Sequence, residues 1–232
     1  MFTAKFIKNI FLEAEGLRAI GRSGKLTRVF AKQGDLDGSC GIYSLMMMLI
    51  FYQKLDWEDL IDGERAKGCE FVGNIQRQFL HGLDGLCCGG NKLQEISDRV
   101  NQCYWGDLSE VFTTESDSPH TIGRRTLHVL IEKYLYERKP VMIGYSKPSG
   151  PGHALVAIAY RREAKNRLRL FCLDPSHGVP FMQLWNTVID LDYLSDVDDD
   201  FTDTNYYAEK KVCVHSFLVI NDLAPSAIEC PF

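Results

Sequence analysis

The hydrophobic period of this chain changes at Pro140, and that change limits its folds more than any other feature. Before it, apolar residues recur at helical spacing, as Leu127, Leu130, Ile131, Tyr134 and Leu135 do within Ile122 to Glu137. Trp57 to Ala66, Ile75 to His81 and Lys92 to Gln102 read as further helices, separated by glycine turns at Gly68, Gly73 and Gly82 to Gly90. Beyond Pro140 the runs are short and rich in β-formers: Val141 to Ser146, His153 to Tyr160, Arg167 to Leu173 and Val212 to Ile220. Arg167-Leu-Arg-Leu-Phe-Cys-Leu173 alternates basic and apolar side chains, as a half-buried antiparallel strand does. Helices followed by antiparallel strands predict an α+β fold with two lobes and a cleft suited to a site. A short strand is expected at Leu26 to Ala31, and Met1 to Glu15 reads as an amphipathic first helix.

Composition narrows the classes of function. A chain of 232 residues suits one domain, and its net charge of −5 gives no basic footprint for nucleic acid or anionic lipid. The longest strongly apolar run, Ile42 to Tyr52, is shorter than the roughly 20 residues a membrane-spanning helix needs. Lys8, Asn9 and Glu13 interrupt the N-terminal apolar stretch, which makes it a poor signal peptide. Of the eight cysteines, Cys69, Cys87, Cys88, Cys103, Cys172, Cys213 and Cys230 show no CxxC pair and no Cys/His spacing of a zinc site. Reduced thiols in a chain made in a reducing cytoplasm are the default, with a disulfide framework as the alternative if the chain is exported without a cleavable signal, and no cofactor is expected.

The eighth cysteine stands apart. In Gln33-Gly-Asp-Leu-Asp-Gly-Ser-Cys40-Gly41 a polar loop runs straight into an apolar helix containing Ile42, Leu45, Met46, Met47, Met48, Leu49, Ile50 and Phe51. A thiol at a helix N-terminus meets unpaired N–H groups and the positive end of the macrodipole, which favour the nucleophilic thiolate. Gln33 is placed to bring an amide donor back beside the thiol, as an oxyanion hole requires. The three methionines read as core filling.

A thiol nucleophile needs a base and a group that orients the base. His153 opens an apolar strand after the turn-like Lys147-Pro-Ser-Gly-Pro-Gly152, and the next strand ends in Leu173-Asp174-Pro175-Ser176-His177-Gly178. Paired as a hairpin with roughly ten residues per arm, the two strands bring His153 and Asp174 together. His177 is the alternative base; His81, His120, His128 and His215 read as structural. The acidic run Asp196-Val-Asp-Asp-Asp-Phe-Thr-Asp203 starts like a calcium loop but lacks its glycine, and Tyr207 stands at the bidentate Glu position, so it reads as a solvated loop.

In order along the chain, Gln33…Cys40-Gly41, Lys139-Pro140-Val-Met-Ile-Gly144, Gly152-His153-Ala-Leu-Val-Ala-Ile and Leu173-Asp174-Pro175…Gly178 resemble papain-like cysteine peptidases. The nearest pattern is the double-glycine leader peptidase group of bacteriocin processing, and the resemblance spans about residues 26 to 190. It implies one papain-like catalytic domain over 1–232, with a mainly helical lobe (1–138) carrying Cys40 and an antiparallel β lobe (139–232) carrying His153 and Asp174. Residue by residue, it implies Cys40 as nucleophile, His153 as general base, Asp174 as orienting acid and Gln33 as oxyanion donor. The expected activity is a thiol endopeptidase, of the bacterial effector or toxin type or directed to Gly-Gly sites, acting on a protein or peptide. A glutamine deamidase, a transglutaminase-like acyl transferase or an inactive binding module is compatible with the same residues. If the chain is exported, the route is independent of a signal peptide. Cys87-Cys-Gly89-Gly90-Asn91 is read as a flexible turn, with self-processing at its double glycine as the alternative.

Overall fold

A computed structural model describes residues 4–32, 39–62, 69–80, 92–115, 120–146, 152–163, 167–178, 183–192, 201–205 and 208–221. Gln33, His81, Cys87, Cys88, Cys230, the Gly82 to Gly90 turn and the acidic run through residue 200 lie outside them. The chain is mixed α+β, with a large antiparallel sheet and a few helices.

The expected strands are present. β6 (Val141–Ser146), β7 (Gly152–Glu163), β8 (Arg167–Leu173) and β11 (Ala208–Ile220) are joined by β9 (Thr187–Asp192) and β10 (Phe201–Asn205). Each of these six strands pairs antiparallel with two of the others in the circuit β6–β7–β8–β9–β10–β11–β6, so the sheet closes into a ring. Closure pairs each of these strands on both sides over part of its length, and side-chain alternation splits their residues between two faces. Val141, Ile143, Tyr145, Leu155, Ala157, Leu168, Leu170, Cys172, Ile189, Leu191, Val212 and Val214 share one apolar cluster. Into the same cluster α5 (Arg124–Tyr136) sends Leu127, Ile131 and Leu135, the stripe its sequence spacing anticipates.

The opposite face of β6 and β7, marked by Met142, Ala154, Val156 and Ile158, packs against the helices. At the centre of that second cluster lies α1 (Cys40–Phe51), with eleven of its residues buried and Met46, Met47 and Met48 at most 2% exposed. A helix apolar on all sides finds solvent on none, and the methionines are core. Around it stand α2 (Trp57–Ile61), α3 (Glu70–Ile75), a π-helical turn at Gln76–Leu80, and α4 (Leu93–Tyr104). At Gly41 α1 and α4 come so close that an added Cβ would lie 2.7 Å from Ile96 Cδ1.

The N-terminal segment departs from expectation. Instead of an amphipathic helix it forms β1 (Lys5–Phe6), which pairs with β7, and a separate sheet of β2 (Phe11–Glu13), β3 (Gly16–Ile20) and β4 (Leu26–Arg28). Asn9, read as a break in the apolar run, gives the physical reason. Its Oδ1 accepts from the Ile20 N–H at 2.8 Å, and its Nδ2 donates to the carbonyls of Ile20 (2.8 Å) and Phe51 (3.0 Å). An extended segment stapled to the end of α1 outweighs a weak local helical period. A further strand, β5 (Ser109–Thr113), pairs with β11, so the sheet draws strands from both sides of residue 138. The first 138 residues are therefore less helical than expected, because β1 and β5 complete the sheet and β2–β4 form one of their own.

Candidate active site

The site forms where α1 meets β7. Ser39 caps the helix through its carbonyl, which accepts from the N–H groups of Ile42 (2.9 Å) and Tyr43 (3.1 Å) and leaves those of Cys40 and Gly41 outside the helical ladder. Cys40, 9% exposed, is the first helical residue. Around its sulfur stand the His153 ring and the backbone N–H groups of Ala154 and Gly41, the groups that favour its anion. One turn along α1, the buried Ser44 hydroxyl donates to the Ala154 carbonyl at 3.2 Å. The Ala154 backbone thus bonds to α1 through its carbonyl and lies beside the Cys40 sulfur, which sets the helix against the strand bearing the histidine.

The hairpin delivers the histidine to the acid. In the β7–β8 ladder Val156 stands opposite Leu173, so His153 and Asp174 lie just past the last pair, on diagonal positions of one face. His153 Nε2 is 2.7 Å from Asp174 Oδ1, with the histidine side chain 17% exposed and the aspartate 1%. Because Nε2 is engaged by the carboxylate, Nδ1 is the nitrogen left to face the sulfur. Tyr145, paired with His153 across the β6–β7 ladder, sets its ring edge-on to the imidazole at 5.3 Å and confines it.

Asp174 collects further donors. Its Oδ1 accepts from the Ser176 N–H (2.8 Å) and hydroxyl (2.7 Å), and His177 Nδ1 lies 3.3 Å from Oδ2. His177, the alternative base, therefore sits on the acid, in the place opposite His153.

The electrostatics follow. Burial alone pushes the Cys40 thiol up, but the hydrogen bond and charge of His153, with the Ala154 and Gly41 N–H groups, together bring it below an ordinary thiol. Burial alone drives an imidazole down, yet Asp174 and Cys40, by hydrogen bond and charge, raise His153 from 6.5 to about 10. Burial would raise the Asp174 carboxyl, and hydrogen bonds from His153, His177 and Ser176 hold it well below the usual carboxylate range. Thiolate, imidazolium and carboxylate are the protonation states this environment favours.

Cys40, His153 and Asp174 are brought together; Gln33 lies outside the described residues. Among the histidines read as structural, His128 is buried in α5, while His120 lies 3.7 Å from Glu110 on an exposed face. His215 lies 3.7 Å from Glu115. Among the described residues no group of three or more His, Cys, Asp and Glu side chains is arranged to hold a metal, no helix is long and apolar enough to cross a membrane, and the cysteines form no disulfide. Sequence reading missed Ser44, Ser176 in its role on Asp174, and Asn186, which lies in an aperiodic stretch; only Ser176, two residues past the acid, carried a local signal, the Asp-Pro-Ser turn. No protein-family model matches this chain, and no curated protein matches it in sequence.

Proposed function

We propose that the protein is a cysteine peptidase of papain-like type, with the helical cluster around α1 and the strand ring as its two lobes and a protein or peptide as its substrate. The observation that carries this reading is the His153–Asp174 hydrogen bond at 2.7 Å set beside Cys40, with the thiol at the start of a buried helix. The thiolate adds to the scissile carbonyl carbon, and the developing oxyanion is met by the Cys40 N–H, left free of the helical ladder, and by the Gln33 amide expected from sequence. His153 gives its proton to the leaving amine, which departs and leaves a thioester on Cys40. A water, its proton taken by His153, attacks the thioester; the acid product leaves and the thiolate–imidazolium pair is restored. Asp174 keeps the imidazole in one orientation and stabilises its cationic form throughout.

The test is incubation of wild type and Cys40→Ala with a candidate proteome, followed by labelling of new N-termini and intact-mass measurement. New N-termini that need Cys40 are expected. The same N-termini in both samples would overturn the assignment, and a gain of a single mass unit without cleavage would make the leaving group ammonia and the chemistry that of a glutamine deamidase.

A further inference from the structure

We infer that Asn186 is the positioning residue for the orienting acid, an assignment that rests on the Cys40–His153–Asp174 reading of the site. β8 ends at Leu173 and β9 begins at Thr187, with the Asn186 N–H still bonded to the Cys172 carbonyl at 3.0 Å. One residue further, the ladder stops and Asp174 has no strand partner for its own peptide groups. The Asn186 side chain takes that place. Its Oδ1 accepts from the Asp174 N–H at 2.7 Å, and its Nδ2 donates to the carbonyls of Asp174 (2.8 Å) and His177 (3.3 Å). A primary amide has the acceptor and donors of a peptide unit, so it continues the ladder by one rung exactly where the main chain cannot. Only one amide orientation satisfies all three contacts, since the flipped one would face two carbonyls with an oxygen.

The consequence reaches the chemistry through Asp174. Asn186 is 3% exposed and Asp174 1%, so neither can turn to water for lost partners. With both of its main-chain polar groups held, Asp174 has its Cα–Cβ direction set, and the carboxylate lands 2.7 Å from His153 Nε2. Without the amide, the Asp174–Gly178 turn loses its link to β9 and the carboxylate its fixed approach. Asn186 touches neither the sulfur nor the imidazole; it acts on them through the acid.

The experiment is the pH dependence of Cys40 alkylation by iodoacetamide, with kcat and KM on a cleaved peptide, for wild type, Asn186→Ala, Asp174→Asn and the double variant. Asn186→Ala is expected to lower kcat by about 10–100-fold, by analogy with removing the outer partner of a metal ligand, with little change in KM. It is also expected to move the labelling profile toward that of an ordinary thiol. In the Asp174→Asn background the same substitution should change kcat by about twofold or less, because its route to the site is already cut. Equal fold-losses in both backgrounds would make Asn186 merely structural, and an unchanged labelling profile in the single variant would also overturn the inference. If Asn186→Ala does not unfold cooperatively, Asn186→Ser is judged by the same criteria; failure of both to fold makes Asn186 a folding residue and overturns the proposal too. Absence of labelling of wild type at mildly acidic pH would instead bring down the peptidase reading itself, which keeps the two failures distinct.

Discussion

His153 and His215 sit on the two strands that flank β6: Tyr145 pairs with His153 on one side and with Val214, beside His215, on the other. Their side chains are similarly sheltered, 17% and 25% exposed, and each has a carboxylate neighbour. Yet His215 is pushed below an ordinary imidazole, with burial outweighing Glu115 and the Tyr145 carbonyl, while His153 rises to about 10 against the same pressure of burial. Part of the reversal is the hydrogen bond that Asp174 makes with His153 at 2.7 Å and that Glu115, 3.7 Å from His215, does not make; the rest is shelter. At equal dielectric, moving a carboxylate from 3.7 Å to 2.7 Å strengthens the attraction only about 1.4-fold, whereas passing from water to a protein-like effective dielectric changes it about fourfold. Glu115 is 55% exposed and Asp174 1%. The sheltered acid, hydrogen-bonded from several sides and joined by a thiol across the ring, turns a buried imidazole into a cation.

The sharpest way to break this contrast is to take the charge from Asp174. Asp174→Asn keeps the shape and removes the negative charge, while the Ser176 N–H holds the amide oxygen where Oδ1 stood, facing His153. Turnover should fall by about 10²–10⁴-fold, the range that general acid–base catalysis contributes, because the imidazolium loses the charge that stabilises it. His153 should then resemble His215, and rapid alkylation of Cys40 at mildly acidic pH should disappear with it. Retention of wild-type labelling would show that the acid is not what reverses the sign.

A smaller effect concerns stability, and its direction differs between the partners. His153 lies above its unfolded value of about 6.5, so its contribution is complete below that pH and is lost as pH rises through about 10. Asp174 and Cys40 are both lowered, so their contributions are present above their unfolded values of about 3.9 and 8.5 and are lost as pH falls through their folded ones. The difference in Tm between wild type and Asp174→Asn should therefore be greatest between these limits and should narrow toward both acid and alkali. Each kcal/mol corresponds to about 2–4 °C for a chain of this size. Calorimetry at a series of pH values checks it, and a difference constant across pH would refute the linkage.

Much of this was legible in the chain. Arg167 to Leu173 and Val141 to Ser146 were delimited by alternation and Pro140, and both strands occur at those limits. Cys40 was marked by a polar loop meeting an apolar helix, and the His153–Asp174 pair by a hairpin. What stayed hidden depends on partners remote in sequence. β5 is a strand because β11 pairs with it, and β1 because the edge of β7 is open to it. The Asn9 and Asn186 amides stand in for missing backbone partners, and an asparagine in a loop looks the same whether or not a distant peptide group needs it. The contrast between the two histidines was equally invisible, because the shelter of a carboxylate is a property of the whole fold.

The smallest expected effect is the matching experiment at the other histidine. Glu115→Gln performs on His215 the change that Asp174→Asn performs on His153: an isosteric amide for the nearest acid. Because Glu115 is largely in solvent, its attraction to His215 is screened, and exposed pairs of this kind contribute about 0–1 kcal/mol. Turnover and the Cys40 labelling profile should match wild type, and Tm should move by no more than a few degrees. Both substitutions remove one charge near a sheltered imidazole on a strand next to β6, so a nonspecific response of the sheet would affect them alike. A loss of early Cys40 labelling in Glu115→Gln would mean that Cys40 senses net charge around the ring rather than the acid bonded to its histidine.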